Sequence, residues 1–142
     1  MIDIDYIMDL LDWHRSENDQ AKGLELAKNV HNFNVFLQPC SKKHNINVWD
    51  NCAKIISQKT DEELMPYLTR LLEWLQDLNW PGSLIILDRL NHYRDSVAFN
   101  PSYAECMKRA VLLEDEVWEE NLKLIKRETT QSENRKTSTQ IM

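Results

Sequence analysis

Leucines at positions 64, 68, 71, 72 and 75 recur at the 3.6-residue period and draw one apolar stripe along residues 61–77. Thr60, followed by Asp61, Glu62 and Glu63, supplies a capping-box start for that helix. Pro66 falls too deep to be harmless, because proline deletes a backbone donor and crowds the preceding turn; a kink or a restart is expected there. Asn79 is placed to cap the next helix with Pro81 in its first turn, which makes "LNWPG" a tight helix–helix corner. The same reading predicts helices near 3–15, 19–31, 46–58, 61–77, 80–94, 102–112 and 115–128. The stretch "HNFNVFLQPCSKKHNIN" is a long connection with room for one helical turn, and residues 128–142, polar and without apolar period, are expected to be a disordered tail.

The two halves align. A shift of 61 sets Leu10, Leu11, Asp12 and Trp13 against Leu71, Leu72, Glu73 and Trp74, Leu26 against Leu87, and His31 against His92. One further residue matches "FLQP" with "AFNP", and a shift of 69 matches "VWDNCAKII" with "VWEENLKLI". Three markers in the same order predict an internal duplication, with halves of about 1–58 and 61–127 inside one domain of 1–127. In such a stack each hairpin leaves an apolar face that its neighbour covers, so Trp13 and Trp74 are expected as equivalent core residues, as are Trp49 and Trp118. Trp80, at the corner and without a counterpart in the first half, is the aromatic expected to face a partner.

Composition narrows the class. Two glycines and four prolines in 142 residues, with 28% charged and 42% hydrophobic residues, fit an all-α soluble domain. No apolar run approaches the length of a membrane span, and the acidic start "MIDIDYIMD" is unlike a signal peptide. Three widely spaced cysteines fit a reducing compartment, so a cytoplasmic location is expected. A net charge of −6 argues against nucleic acid and for a partner with a basic surface.

The segment "LMPYLTRLLEWL", with its early proline, resembles the first helix of a HEAT-type repeat, and "EWLQDLNWPG" resembles a family of short, uncharacterised bacterial proteins with HEAT-like folds. The resemblance covers residues 60–95 and implies a right-handed stack of antiparallel helical hairpins. It implies no activity.

Candidate chemistry is sparse. Cys40 and His44 place a thiol four residues from an imidazole, but no acid in the sequence pattern orients the ring, and two lysines between them mark an exposed loop. Asp88 and His92 share a helix face, yet no H-x-x-x-H or E-x-x-H pair seeds a metal site, and neither a metal nor another cofactor is expected. The carboxylates carry more. Residues 1–20 hold six acids and one arginine, residues 61–80 five acids and one arginine, while 21–60 is net positive. If the halves are equivalent, Asp9, Asp12, Glu73 and Asp77 build one acidic surface, with Trp80 as its aromatic anchor. The expectation is a non-enzymatic protein-binding module, monomeric or weakly dimeric, of which an immunity-type inhibitor of a basic toxin is one version. The alternatives are a HEAT-like base glycosylase, which needs a basic concave face, and a structural subunit of a complex, which needs an exposed apolar strip on the end helices.

Overall fold

The computed structural model describes residues 2–126, and every regular element among them is helical. Among the described residues there are seven helices: α1 (Ile4–Leu10), α2 (Glu17–Ala27), α3 (Ile46–Ser57), α4 (a succession of Asp61–Leu64, Met65–Tyr67, Leu68–Glu73 and Trp74–Gln76), α5 (Ser83–Asn91), α6 (Ser96–Leu112) and α7 (Glu116–Leu122). The connection between α2 and α3 holds one 3-10 turn, Phe33–Phe36. The expected tail at 128–142 and the last two residues of the expected 115–128 helix lie outside the described residues. No helix among the described residues is long and apolar enough to cross a membrane.

Short side chains decide where the helices begin. Ser16 accepts from the Asp19 N–H and starts α2 two residues before the periodic pattern does. Asp95 does the same for α6 through the Ala98 N–H, so that helix starts at Ser96 rather than 102. Pro101 then lies inside α6. It costs only the bond to the Val97 carbonyl, at a turn where Val97 is 86% exposed and water can serve instead. Thr60 and Glu63 form the reciprocal capping box, and Pro66 converts the next turn of α4 to 3-10 geometry before the α-helix resumes at Leu68. Pro81 does not enter a helix. Trp80 to Ser83 form a β-turn closed by the Ser83 N–H on the Trp80 carbonyl at 3.1 Å, with Pro81 and then Gly82 at φ 85° in its centre. The αL-type angle at the third position is what demands glycine.

The chain divides into two compact units: one runs to Lys59 and includes Leu78–Ile86, and the other holds Thr60–Asp77 and the chain from Leu87 on. In the first, α1 lies against α2 where Gly23 leaves room. A Cβ at Gly23 would stand 2.9 Å from both the Leu10 Cβ and the Leu11 Cδ2. Asn51, buried in the middle of α3, donates to the Leu11 carbonyl at 2.8 Å and to Gln20 Oε1 at 2.9 Å, tying α3 to the end of α1 and to α2. Ile7, Leu11, Val48, Cys52 and Ile56 of this unit are all buried.

In the second unit Trp118 is fully buried, and its indole N–H donates to the Leu72 carbonyl at 3.1 Å, so α7 docks on α4 through one aromatic. Asn121 repeats the device on the Leu75 carbonyl at 2.8 Å. Asp61 takes the Arg89 guanidinium at 2.6 Å and the Arg94 N–H at 2.9 Å, and its own carbonyl accepts from the Tyr93 hydroxyl.

One core residue expected from the pattern is not in the core. Trp13 is 42% exposed, whereas Trp74, Trp49 and Trp118 are buried. Helix α1 stops at Leu10, so the stripe that buries Leu10 and Leu11 no longer applies three residues on.

Candidate functional site

Among the described residues, a compact group of titratable side chains lies where the loop 41–44 meets α1. Ser41 and His44 close that loop on each other: the Ser41 N–H and hydroxyl donate to the His44 carbonyl, and the His44 N–H donates to the Ser41 hydroxyl oxygen. The turn presents His44, which is buried, to α1. Its Nε2 stands 2.9 Å from Asp9 Oδ1 and its Nδ1 3.7 Å from Asp5 Oδ1. The Lys43 ammonium lies 3.0 Å from Asp9 and 3.6 Å from Asp5. Hydrogen bonds from His44 and then Lys43 hold the Asp9 carboxyl below its usual range, and Asp9 in turn raises Lys43.

Asp5, Asp9 and His44 bring three possible metal-ligand atoms within 4.8 Å of one another. The sequence did not show this group, because an Asp pair at i, i+4 is common on helix surfaces and its imidazole lies 35 residues further along the chain. Lys43 already places a positive charge against both carboxylates, so the group is compensated by the chain itself. The acid that the sequence pattern withheld from His44 is therefore present, but the ring is turned toward carboxylates, and no hydrogen bond joins it to Cys40. Cys40 is exposed, while burial pushes the Cys106 thiol up to about 11 and the Cys52 thiol higher still. Both buried thiols stay protonated and are poor nucleophiles.

The other acids expected at a partner surface also have companions within their own units. Asp12 accepts from the His14 N–H at 2.9 Å and from Asn47 at 3.0 Å. Burial raises the Asp12 carboxyl, and these bonds, with the His14 ring, outweigh it and leave it lowered. Glu73 pairs with Arg109 at 2.8 Å, and that guanidinium also lies 5.2 Å from the Trp118 ring centre. Asp77 is half-buried at the end of α4. Asp9 and Asp12 stand in the first unit with Trp80, and Glu73 and Asp77 in the second.

Trp80 is half-buried rather than free. Its ring meets Trp49 edge-on at 5.7 Å and 82°, and Trp49 is fixed by its own indole N–H on the Pro39 carbonyl at 2.8 Å. Trp80, Pro81 and Gly82 form part of the wall of a cleft of about 290 Å³ that also includes Asp50 and Leu84.

The largest run of exposed apolar side chains among the described residues was not singled out from the sequence. At the corner between α6 and α7, Val111, Leu112, Leu113 and Val117 are 55%, 71%, 68% and 62% exposed. Glu114, in left-handed conformation at φ 56°, and the N-cap Asp115 make the corner, and Glu114 and Glu116 are exposed beside it. A signal was available: three consecutive apolar residues exceed what one helix face can bury, so one of them had to point outward.

No curated protein and no solved structure matches the chain. A family model described as a domain of unknown function, DUF5071, matches residues 41–141. The matched span includes the Trp80 turn, the α6–α7 corner, Lys43 and His44, and leaves out Asp5, Asp9 and Asp12. With most of its length inside that match, the chain belongs to the DUF5071 family.

Proposed function

We propose that this chain is a non-enzymatic protein-binding module whose contact surface is the apolar α6–α7 corner with its acidic rim. One observation carries the reading: four apolar side chains within seven residues, each more than half exposed, with Glu114 and Glu116 exposed among them. Apolar side chains gathered on one exposed turn mark interaction surfaces, whereas scattered ones do not. The acidic rim and the net charge of −6 select a partner that surrounds an apolar face with lysines and arginines. A basic toxin held inactive in the cytoplasm is one partner of this chemistry.

The test is a photo-crosslinking amino acid placed at Leu112 in cells, with exposed Glu62 as the control position. A discrete adduct from 112 alone, containing a basic protein and weakened by Glu114→Lys with Glu116→Lys, supports the reading. Equal labelling at both positions, an adduct of twice the chain's own mass, or indifference to the charge reversal overturns it.

A further inference from the structure

We propose that the cleft beside the Trp80 turn receives one arginine side chain from a bound peptide. The site lies wholly within the first unit and is separate from the α6–α7 corner. Its volume of about 290 Å³ is at the small end of ligand pockets, which run from roughly 300 to 1,000 Å³, and suits a single side chain better than a cofactor.

Three features of the wall specify what enters. Asp50 lines the cleft, is half-buried, and has no hydrogen bond or ion pair among the described residues; Lys54, one turn along α3, does not reach it. A partly desolvated carboxylate without a partner favours a cation and repels an anion. Trp80 lines the same cleft, and an indole is the strongest of the aromatic rings for cations. That ring is held in advance, by its T-shaped contact with Trp49 and by the Pro81–Gly82 turn that follows it, so little ordering is left to do on binding. Leu84, 64% exposed, and Pro81 give the rim apolar surface for a methylene stem.

A carboxylate and an indole in one small cleft fit guanidinium better than ammonium. The guanidinium is planar and weakly hydrated, stacks on aromatic faces, and offers a fork of N–H donors that a carboxylate can take in pairs. An ammonium is a compact charge that gives up more hydration for the same contact.

The experiment is a titration of the full chain with capped arginine, followed through the indole N–H signals in ¹H–¹⁵N spectra, with the Trp80 signal identified by its loss in Trp80→Phe. Capped citrulline, which has the same shape without the charge, and capped lysine are the comparison probes. The expected result is a saturable shift of the Trp80 signal with arginine, about tenfold weaker with citrulline and weaker with lysine. Asp50→Asn is expected to weaken arginine binding by a similar factor while the other indole signals keep their dispersed positions, and Asp50→Glu to retain most of it. An unmoved Trp80 signal, equal response to citrulline or lysine, or indifference to Asp50→Asn overturns the proposal. Because the crosslinking at Leu112 reads the other unit, either result can fail without the other.

Discussion

Leu10–Trp13 and Leu71–Trp74 spell nearly the same word, and the first two letters behave alike: Leu10, Leu11, Leu71 and Leu72 are all buried. The fourth letter does not. Trp13 is 42% exposed and Trp74 is fully buried. The third letter explains the divergence. Asp12 is short enough to accept from the N–H of His14, two residues on, which is an Asx turn and an alternative to continuing the helix. Helix α1 has ended at Leu10, and the Trp13 N–H is taken by the Asn47 carbonyl at 3.0 Å. Glu73, one methylene longer, instead reaches Arg109, and the backbone stays helical through Gln76. Trp74 therefore remains on the buried stripe. The two side chains differ by one CH₂, and with it the partner of the carboxylate differs: the backbone in one case, Arg109 in the other.

The largest expected effect tests that contrast directly. Trp74→Ala removes a fully buried indole and should cost roughly 3–5 kcal/mol in urea denaturation, whereas Trp13→Ala should cost less than about 1 kcal/mol. Equal losses at the two positions would mean that the halves pack equivalently after all.

A second contrast lies 61 residues apart. Gly23 faces α1 so closely that Gly23→Ala must push Leu10 or Leu11 aside, with an expected loss of about 1–3 kcal/mol. Leu84, at the aligned position, is 64% exposed, and Leu84→Ala should change stability by less than about 0.5 kcal/mol. Smaller again is the turn itself. Asp12→Ala deletes the acceptor for the His14 N–H and should cost about 1 kcal/mol, the usual worth of a capping side chain. Asp12→Glu should not rescue it, because the longer arm no longer makes the short turn.

What was legible in the sequence was whatever repeats locally. Seven helices follow from the apolar period, and the Thr60–Glu63 box and the break at Pro66 follow from residue types at fixed offsets. The errors fall where one polar side chain overrides the period: Ser16 and Asp95 start helices early, and the turn at Asp12 removes Trp13 from the core. The site residues were harder. Asp9 with His44, and Asp50 with Trp80, lie about 30 or more residues apart, and no local pattern links them. Asp9 and Trp80 were each singled out in the sequence, Trp80 because a tryptophan before Pro-Gly sits on a turn wherever the turn falls, but their pairings in space were not.

The smallest expected effect concerns acid, at the helix that carries the first of the two words. Hydrogen bonds from His44 and Lys43 hold the folded Asp9 carboxyl below its ordinary value of 3.8. A depressed folded value means that unfolding makes Asp9 easier to protonate, so the clasp stabilises the fold above the ordinary carboxylate range and loses its contribution as pH falls through the folded value. Asp9→Asn keeps the size of the side chain and removes the charge. In urea unfolding, the gap between the parent chain and Asp9→Asn should be open above the ordinary carboxylate range, as at about pH 6, and close as the pH drops below 3.8. A third of the Asp9 side chain is exposed, so solvent screens the charges and moderate salt should narrow the gap as well. Parallel curves down to about pH 3 would show that the Ser41–His44 turn is held to α1 by its backbone and packing, with no contribution from the ion pair.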